Sequence, residues 1–398
     1  MLIAIFAALV FAYSLIARPV ERFATAPIVF TCVGFALAML VPEFRADDYN
    51  LEQFLWVAEA GLVLLLFSGA ARTNLDLLRQ IQRFPARLLG PGLLLTIFLG
   101  AGVALVFLPQ LSFWEACILG AILAPTDAGL GQVIVQSPLV PEEVREALDV
   151  EAGLNDGLSV PFLLFFMAML QISGESGLAR LDIFIVHQLG FGALIGGAVG
   201  FGGGWLLQQA SRLGGITDVF VPRAVVALPV LCFVIADAVD GSMFIAAFVA
   251  GLAVRAGFPA AGGHAVDFAE QWGELFNLAV FFLFGILLHK AVGRVEPEFV
   301  VYALLSLTLV RMLPVAIALW GSGVDRNTVL FIGWFGPRGL ASIVLGLVFL
   351  DREINTPGEA IINGAVVVTV LLSVLLHGFS ARPGIAWYAG QKARGMGD

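Results

Sequence analysis

Apolar stretches of bilayer-crossing length follow one another along almost the whole chain of 398 residues. A crossing helix needs about 20 consecutive, mostly apolar residues. Thirteen stretches approach or meet that length: 2–17, 25–42, 52–71, 86–108, 113–136, 146–171, 182–209, 222–238, 242–256, 274–291, 298–320, 327–350 and 358–380. This pattern predicts an all-α polytopic membrane protein of about 13 transmembrane helices. The 60% hydrophobic content agrees, since soluble domains are about half apolar. The 13% of charged residues gather between the apolar runs, and no basic, aromatic-interleaved face suits nucleic acid.

The links are short. Residues 72–87 and the segment around 262–274 read as amphipathic surface helices, and 381–398 as a short cytoplasmic tail. The first run begins at Met1 without a basic leader or an Ala-x-Ala site, which predicts a first spanning helix and not a removed signal. Cys32, Cys117 and Cys232 are isolated in apolar runs and read as small core residues, without disulfide or zinc. Orientation follows Lys and Arg. Arg18 and Arg22 in the first loop, and Arg72, Arg79, Arg83 and Arg87 in the third, place those loops in the cytoplasm. The N-terminus is then outside, the C-terminus with Lys392 and Arg394 cytoplasmic, and the setting a bacterial or archaeal cell (inner) membrane.

Two spans are interrupted at matching places. Span 5 carries Pro125 followed by Asp127; span 12 carries Gly336-Pro337-Arg338-Gly339. Proline removes a helix donor and breaks the ladder. Taking residues 1–171 and 222–380 as two six-helix repeats, joined by a linking helix at 182–209, puts each break in the fifth helix of its repeat. The repeats are then inverted, because seven spans separate equivalent helices. Paired broken helices point to a transporter's binding site.

Ionisable residues cluster there. A carboxylate at bilayer depth costs about 2.5–3.5 kcal/mol on insertion scales, so such residues usually handle ions or protons. Asp127 and Thr126 flank the first break; Asn155 and Asp156 lie in span 6. Two carboxylates (Asp127 and Asp156), a hydroxyl and freed carbonyls offer hard oxygen ligands for an alkali cation, with no nitrogen or sulfur for a transition metal. A desolvated carboxylate favours neutralisation, by proton or by cation. The two compete, so loading one expels the other. This predicts a secondary transporter, not an enzyme, with no cofactor beyond the transported ions. Glu151 and Arg311 are the expected core ion pair, with Arg338 a structural charge at the crossing. Ser68 and Ser159 are candidate lining hydroxyls, and Glu59, in span 3 with Ser68, a candidate lining carboxylate. Gly153 and Gly157 form a small-xxx-small pair, and Gly190–Gly204 reads as a packing face, not a phosphate loop. Asp237 and Asp240 are expected at the outer end of span 8, His187 at the start of span 7, and His264, His289 and His377 near membrane interfaces.

At PTDAGLG in span 5, EAGLNDG in span 6, VRMLP in span 11 and GWFGPRGLAS in span 12, the chain resembles the monovalent cation/proton antiporters of the sodium/hydrogen exchanger superfamily, on the NhaP-like branch. The resemblance implies a thirteen-helix fold with inverted repeats, a core domain moving against a dimerisation domain, and a homodimer built through spans 1–3 and 8–10. It implies that Asp156 binds ion and proton, that Thr126 and Asp127 complete the site, and that Glu151 and Arg311 pair. The Asn155-Asp156 pair, in place of two aspartates, marks the electroneutral branch. Members commonly carry serine where this chain has Ala152, and often an acid where it has Ser68. Both changes remove oxygen, leaving room for potassium beside sodium or lithium. A potassium/proton antiporter is therefore the alternative reading. A cation channel and an intramembrane aspartyl protease are remote: no repeated selectivity loop and no Gly-x-Gly-Asp string occurs.

Overall fold

The structure is a computed structural model of the chain, and it describes residues 1–21, 23–41, 43, 51–72, 84–171, 185–259, 264–293, 295–352 and 356–395. The described residues contain helices and no strand. In chain order these are α1 (Leu2–Val20), α2 (Ala26–Leu40), α3 (Leu51–Arg72), α4 (Pro85–Phe107), α5 (Phe113–Ile122), α6 (Ala128–Val135), α7 (Glu142–Gln171) and α8 (Val186–Arg212). There follow α9 (Val221–Asp237), α10 (Met243–Gly257), α11 (His264–Val292), α12 (Pro297–Leu307), α13 (Leu309–Ala318), α14 (Arg326–Trp334), α15 (Leu340–Asp351) and α16 (Glu359–Gly395). Among the described residues, eight helices are long and apolar enough to cross a membrane: α1, α3, α4, α7, α8, α11, α16 and the continuous α12–α13 rod. Four shorter apolar helices, α2, α5, α10 and α15, accompany them.

Each apolar stretch falls on one helix or on a pair. Spans 5 and 12 are divided where the prolines require it, into α5 and α6 and into α14 and α15. Span 11 holds a further irregularity at Thr308, between α12 and α13. The Thr308 hydroxyl donates to the Leu304 carbonyl at 2.6 Å, a back-bond that opens the turn.

The helices form two groups. In one, α11 packs on α2, α3 and α9, and α10 packs on α3, α8 and α9. Helix α1 joins it through Phe6 and Tyr13, edge-on to Phe30. The α8–α10 contact is the closest. Gly192, Gly196, Gly200 and Gly204 make a buried stripe, and a Cβ at Gly196 or Gly200 would strike the backbone of Ala246 or Ala250. This is the packing face expected of Gly190–Gly204. In the other group α5 packs on α4 and α7, α6 on α7 and α16, and α12 on α4 and α16. The groups meet chiefly where α3 crosses α7 and α15. There Gly69 faces Gly153, so the α3 and α7 backbones lie against each other, while Gly157 faces Phe248 of α10.

Several sequence expectations change. The 262–274 segment is no separate surface helix; from His264 it is the first part of α11, continuous with span 10. Residues 381–395 are not a loose tail, because α16 runs through Pro383 to Gly395. Tyr388 stacks on Phe331 with ring centroids 4.4 Å apart, and Lys392 pairs with Asp325 at 2.6 Å, which fastens this extension to α14. His377 is therefore a buried mid-helix residue and not an interfacial one. Cys117 and Cys232 are buried, whereas Cys32 is on the exposed face of α2. The surface helix expected at 72–87 lies mostly outside the described residues; its end, Pro85–Arg87, is the first turn of α4.

Candidate functional site

Four half-helices end inside the protein at the crossing, and each end meets a side chain of complementary charge or hydrogen-bonding sense. A helix N-terminus carries partial positive charge and unpaired N–H groups; a C-terminus carries the reverse. Asp127 is the N-cap of α6: its Oδ1 accepts from Leu130 N–H at 2.8 Å. Its Oδ2 accepts from Leu340 N–H of α15 at 2.6 Å. One carboxylate thus serves the N-termini of both inner half-helices. The Asp127 N–H donates to the Pro337 carbonyl at 2.7 Å, tying the two breaks backbone to backbone. Position 339 must be glycine for this approach, since a Cβ there would overlap the Asp127 carboxylate.

The C-terminal ends receive donors. Arg338 is fully buried, and its Nη1 donates to the Ala124 carbonyl and to the Pro125 carbonyl, the latter at 2.9 Å. Its N–H donates to Ser373 Oγ at 2.6 Å. His377 Nδ1 lies 3.2 Å from the Ser373 hydroxyl and 3.0 Å from the Ser373 carbonyl, while His377 Nε2–H donates to the Trp334 carbonyl at 2.9 Å. That carbonyl closes α14. Arg311 makes a two-pronged contact with Glu151, Nη1 to Oε1 and Nη2 to Oε2, the second at 2.9 Å. Both partners are at most 5% exposed. Gly336 leaves room for the guanidinium. Arg338 and Arg311 are thus embedded in the scaffold, away from the cavity lining.

Asn155 and Asp156 approach from α7. Asn155 Nδ2 donates to Thr126 Oγ1 at 2.7 Å, which binds α7 to the first break. Asn155 Oδ1 and Asp156 Oδ1 are buried and accept no hydrogen bond from the described residues. Ser159 spends its hydroxyl on the Asp156 backbone carbonyl at 2.9 Å and does not line the cavity. Ser68 donates to the Leu65 carbonyl at 3.1 Å and does line it, as do Ala152, Asp127 and Asp156. Glu59, Asp237, Asp240 and the histidines stand elsewhere. Asp240 is in a turn with φ 54°, His187 rests edge-on to Phe191, and His289 contacts Met39.

The cavity, about 620 Å³, runs from Arg72 and Pro85 at the helix ends inward to Asp156. Its walls hold carboxylates that the sequence reading passed over. Besides 150 and 152 on α7 and 271 on α11, the lining holds two regular rows, at 146, 149, 153 and 156 of α7 and at 267, 270, 274 and 277 of α11. Both follow the same spacing of three, four and three residues, which keeps side chains on one helix face. They carry Glu146, Asp149 and Asp156 on one wall, and Asp267, Glu270, Glu274 and Asn277 on the other. Arg72 is the one cation among the described lining residues; it pairs with Asp267 at 2.7 Å and with Glu270. Gln132 Nε2 donates to Glu274 at 2.9 Å. The signal was present as an i, i+3, i+7, i+10 pattern. It was hidden because 262–274 was read apart from span 10.

The sequence matches the family "Sodium/hydrogen exchanger, transmembrane" over residues 3–387. It is 26% identical over 384 residues to the K(+)/H(+) antiporter NhaP of Alkalimonas amylolytica, covering 95% of this chain and 65% of that protein. It is 25% identical over 319 residues to a Na(+)/H(+) antiporter of Schizosaccharomyces pombe, covering 72% of this chain and 68% of the relative. The chain therefore spans about two thirds of the length of these relatives. Its fold is similar to that of the sodium proton antiporter MjNhaP1 from Methanocaldococcus jannaschii, with a TM-score of 0.71 at 21% identity over 94% of this chain and 98% of that one.

Proposed function

Because the chain belongs to the sodium/hydrogen exchanger family, a multi-pass membrane family, we propose that it exchanges a monovalent cation for protons by alternating access, with both competing for Asp156. The observation that carries this reading is the position of Asp156. Its Oδ1 is buried without a donor among the described residues, at the inner end of an acid-lined cavity. Asp127 lines the same cavity, but both of its oxygens already hold backbone N–H groups. Asp127 therefore acts as a fixed negative charge, and Asp156 as the group whose charge is neutralised in turn by proton and cation. Thr126 and Asn155 hold α7 against the break and orient Asp156.

The acid walls serve delivery. A cleft lined by one sign of charge concentrates counter-ions and raises their arrival rate. In the orientation set by Lys and Arg, with the N-terminus outside and the C-terminus cytoplasmic, Arg72 and Pro85 lie on the cytoplasmic side. The cavity then opens inward. Exchange follows when the group containing α4–α7 and α12–α16 moves against the group containing α1–α3 and α8–α11. These groups are the core and dimerisation sides of a homodimer, thirteen spans in two inverted repeats. One cation moves for one proton, since one unengaged carboxylate carries the exchange.

Sodium is the first reading, with lithium as an alternative substrate. Potassium is the second, favoured by Ala152, which puts a methyl where a hydroxyl would face the cavity beside Asp156. Purified protein in liposomes with an imposed pH gradient tests both. Addition of Na⁺, K⁺ or Li⁺ singly should dissipate the gradient, and the order of responses names the cation. A gradient that no cation discharges would refute antiport.

A further inference from the structure

Asn277 lies on α11 at the inner end of the acid stripe, and its environment is unusual for a membrane-buried amide. The residue is 5% exposed, and its Oδ1 accepts no hydrogen bond from the described residues. A buried polar atom without a partner costs about 1–3 kcal/mol, and such exceptions call for a reason. The amide stands at the first turn of α6. A Cβ added at Gly129 would come 2.7 Å from Asn277 Nδ2 and 3.1 Å from Asp127 Oδ1, so the amide and the carboxylate flank the same point. Asn277 and Asp156 line one cavity, and each presents a buried oxygen with no donor among the described residues. They reach it from different helix groups: α11 packs chiefly on α2, α3 and α9, whereas α7 packs chiefly on α5, α3 and α6.

We propose that Asn277 supplies an uncharged oxygen ligand to the transported alkali cation, across the cavity from Asp156, and sets which alkali cation is preferred. This rests on the antiport reading. Alkali cations bind through oxygens that replace their hydration shell, and the number and placement of neutral carbonyl oxygens bear on choice among them. Ala152 on the α7 wall presents a methyl and no side-chain oxygen to the cavity. The Asn277 carbonyl supplies an oxygen from the α11 wall. A neutral amide does not take the exchanged proton. Its removal should weaken the cation and leave proton binding at Asp156 in place.

The test measures apparent KM and maximal rate for Na⁺, K⁺ and Li⁺ in proteoliposomes, for wild type, Asn277→Ala and Asn277→Gln. The alanine protein should show about a tenfold higher KM for the preferred cation, the size expected for one lost bond to a charged partner. Maximal rate should stay within about twofold, and the ratio of KM values among the three cations should change. Asn277→Gln, which keeps the carbonyl, should recover part of the affinity. A uniform change for all three cations, or none, would overturn the assignment. Thermal melting of detergent-solubilised protein with each chloride gives a second reading, since a cation bound by the folded state raises the midpoint. Should Asn277→Ala fail to fold, the ion-specific increments of Asn277→Gln and Asn277→Ser decide: increments identical to wild type overturn the proposal. Asp156→Asn run alongside separates the two ideas. If it still exchanges cations, both fall; if it is inactive while the Asn277 variants keep wild-type ratios, only the Asn277 assignment falls.

Discussion

The Asp127 carboxylate accepts the Leu340 N–H at 2.6 Å while it caps its own helix through Leu130 at 2.8 Å. A single side chain thereby joins the broken helices of the two halves of the chain. The first break was legible in sequence because Pro125 and Asp127 stand together in an apolar run. The partnership with Leu340 was not, because a backbone donor has no sequence signature.

Asp127→Asn should lower stability by about 2 kcal/mol or more. A charge at a helix N-terminus contributes up to about 2 kcal/mol in partly buried geometry, and here two termini share it. Melting in detergent measures this, and an unchanged midpoint would show that the charge is not needed at the crossing.

Glu151→Ala should cost about 3–5 kcal/mol, because it strands the Arg311 guanidinium among buried atoms. The double variant Glu151→Gln/Arg311→Met should be more stable than Glu151→Ala, since it leaves no lone charge. If the double variant is the weaker of the two, the pair contributes more than mutual neutralisation. This contact was anticipated from sequence for a simple reason: a charge inside an apolar stretch needs an opposite charge in another.

Glu274→Gln should raise the apparent KM for the transported cation by about two- to threefold at low ionic strength, with little effect near 1 M of an inert salt. Charges that steer by their field are screened within about 3 Å at that concentration. Equal KM changes at both ionic strengths would assign Glu274 a contact role instead. The acid stripe of α11 escaped the sequence reading because Asp267, Glu270 and Glu274 were placed on a surface helix. Their spacing and the continuity of α11 into span 10 show one wall of a cavity. Asn277 was overlooked for a related reason: a single amide in an apolar run looks like filler until its unpaired oxygen is seen.

Asp325, at the N-cap of α14 and outside the spans, is held down to about 2 by hydrogen bonds from Lys392 and Thr328, which outweigh its desolvation. Its folded value is below the ordinary 3.8, so its contribution is complete above about pH 4 and fades as pH falls toward 2. The pair is about half exposed, so solvent screening limits the contribution to about 1 kcal/mol. Lys392→Ala should therefore melt slightly below wild type at pH 6, and the difference should shrink below about pH 4 and nearly close by about pH 2. A gap that persists at pH 2 would mean that Lys392 acts through packing on Tyr388 and not through charge.

Ala152→Ser should increase the preference for sodium over potassium by adding a hydroxyl to the cavity wall near Asp156. The ratio of apparent KM values reads this directly, and an unchanged ratio removes position 152 from the choice of ion.

The central claim is that one carboxylate, Asp156, carries proton and cation in turn. The most direct measurement compares cation-driven proton flux in proteoliposomes of wild type and Asp156→Asn, with detergent melting curves to show that both are folded. The account predicts discharge of the pH gradient by wild type and none by the folded variant. Flux retained by Asp156→Asn, with a pH dependence like that of wild type, would contradict it.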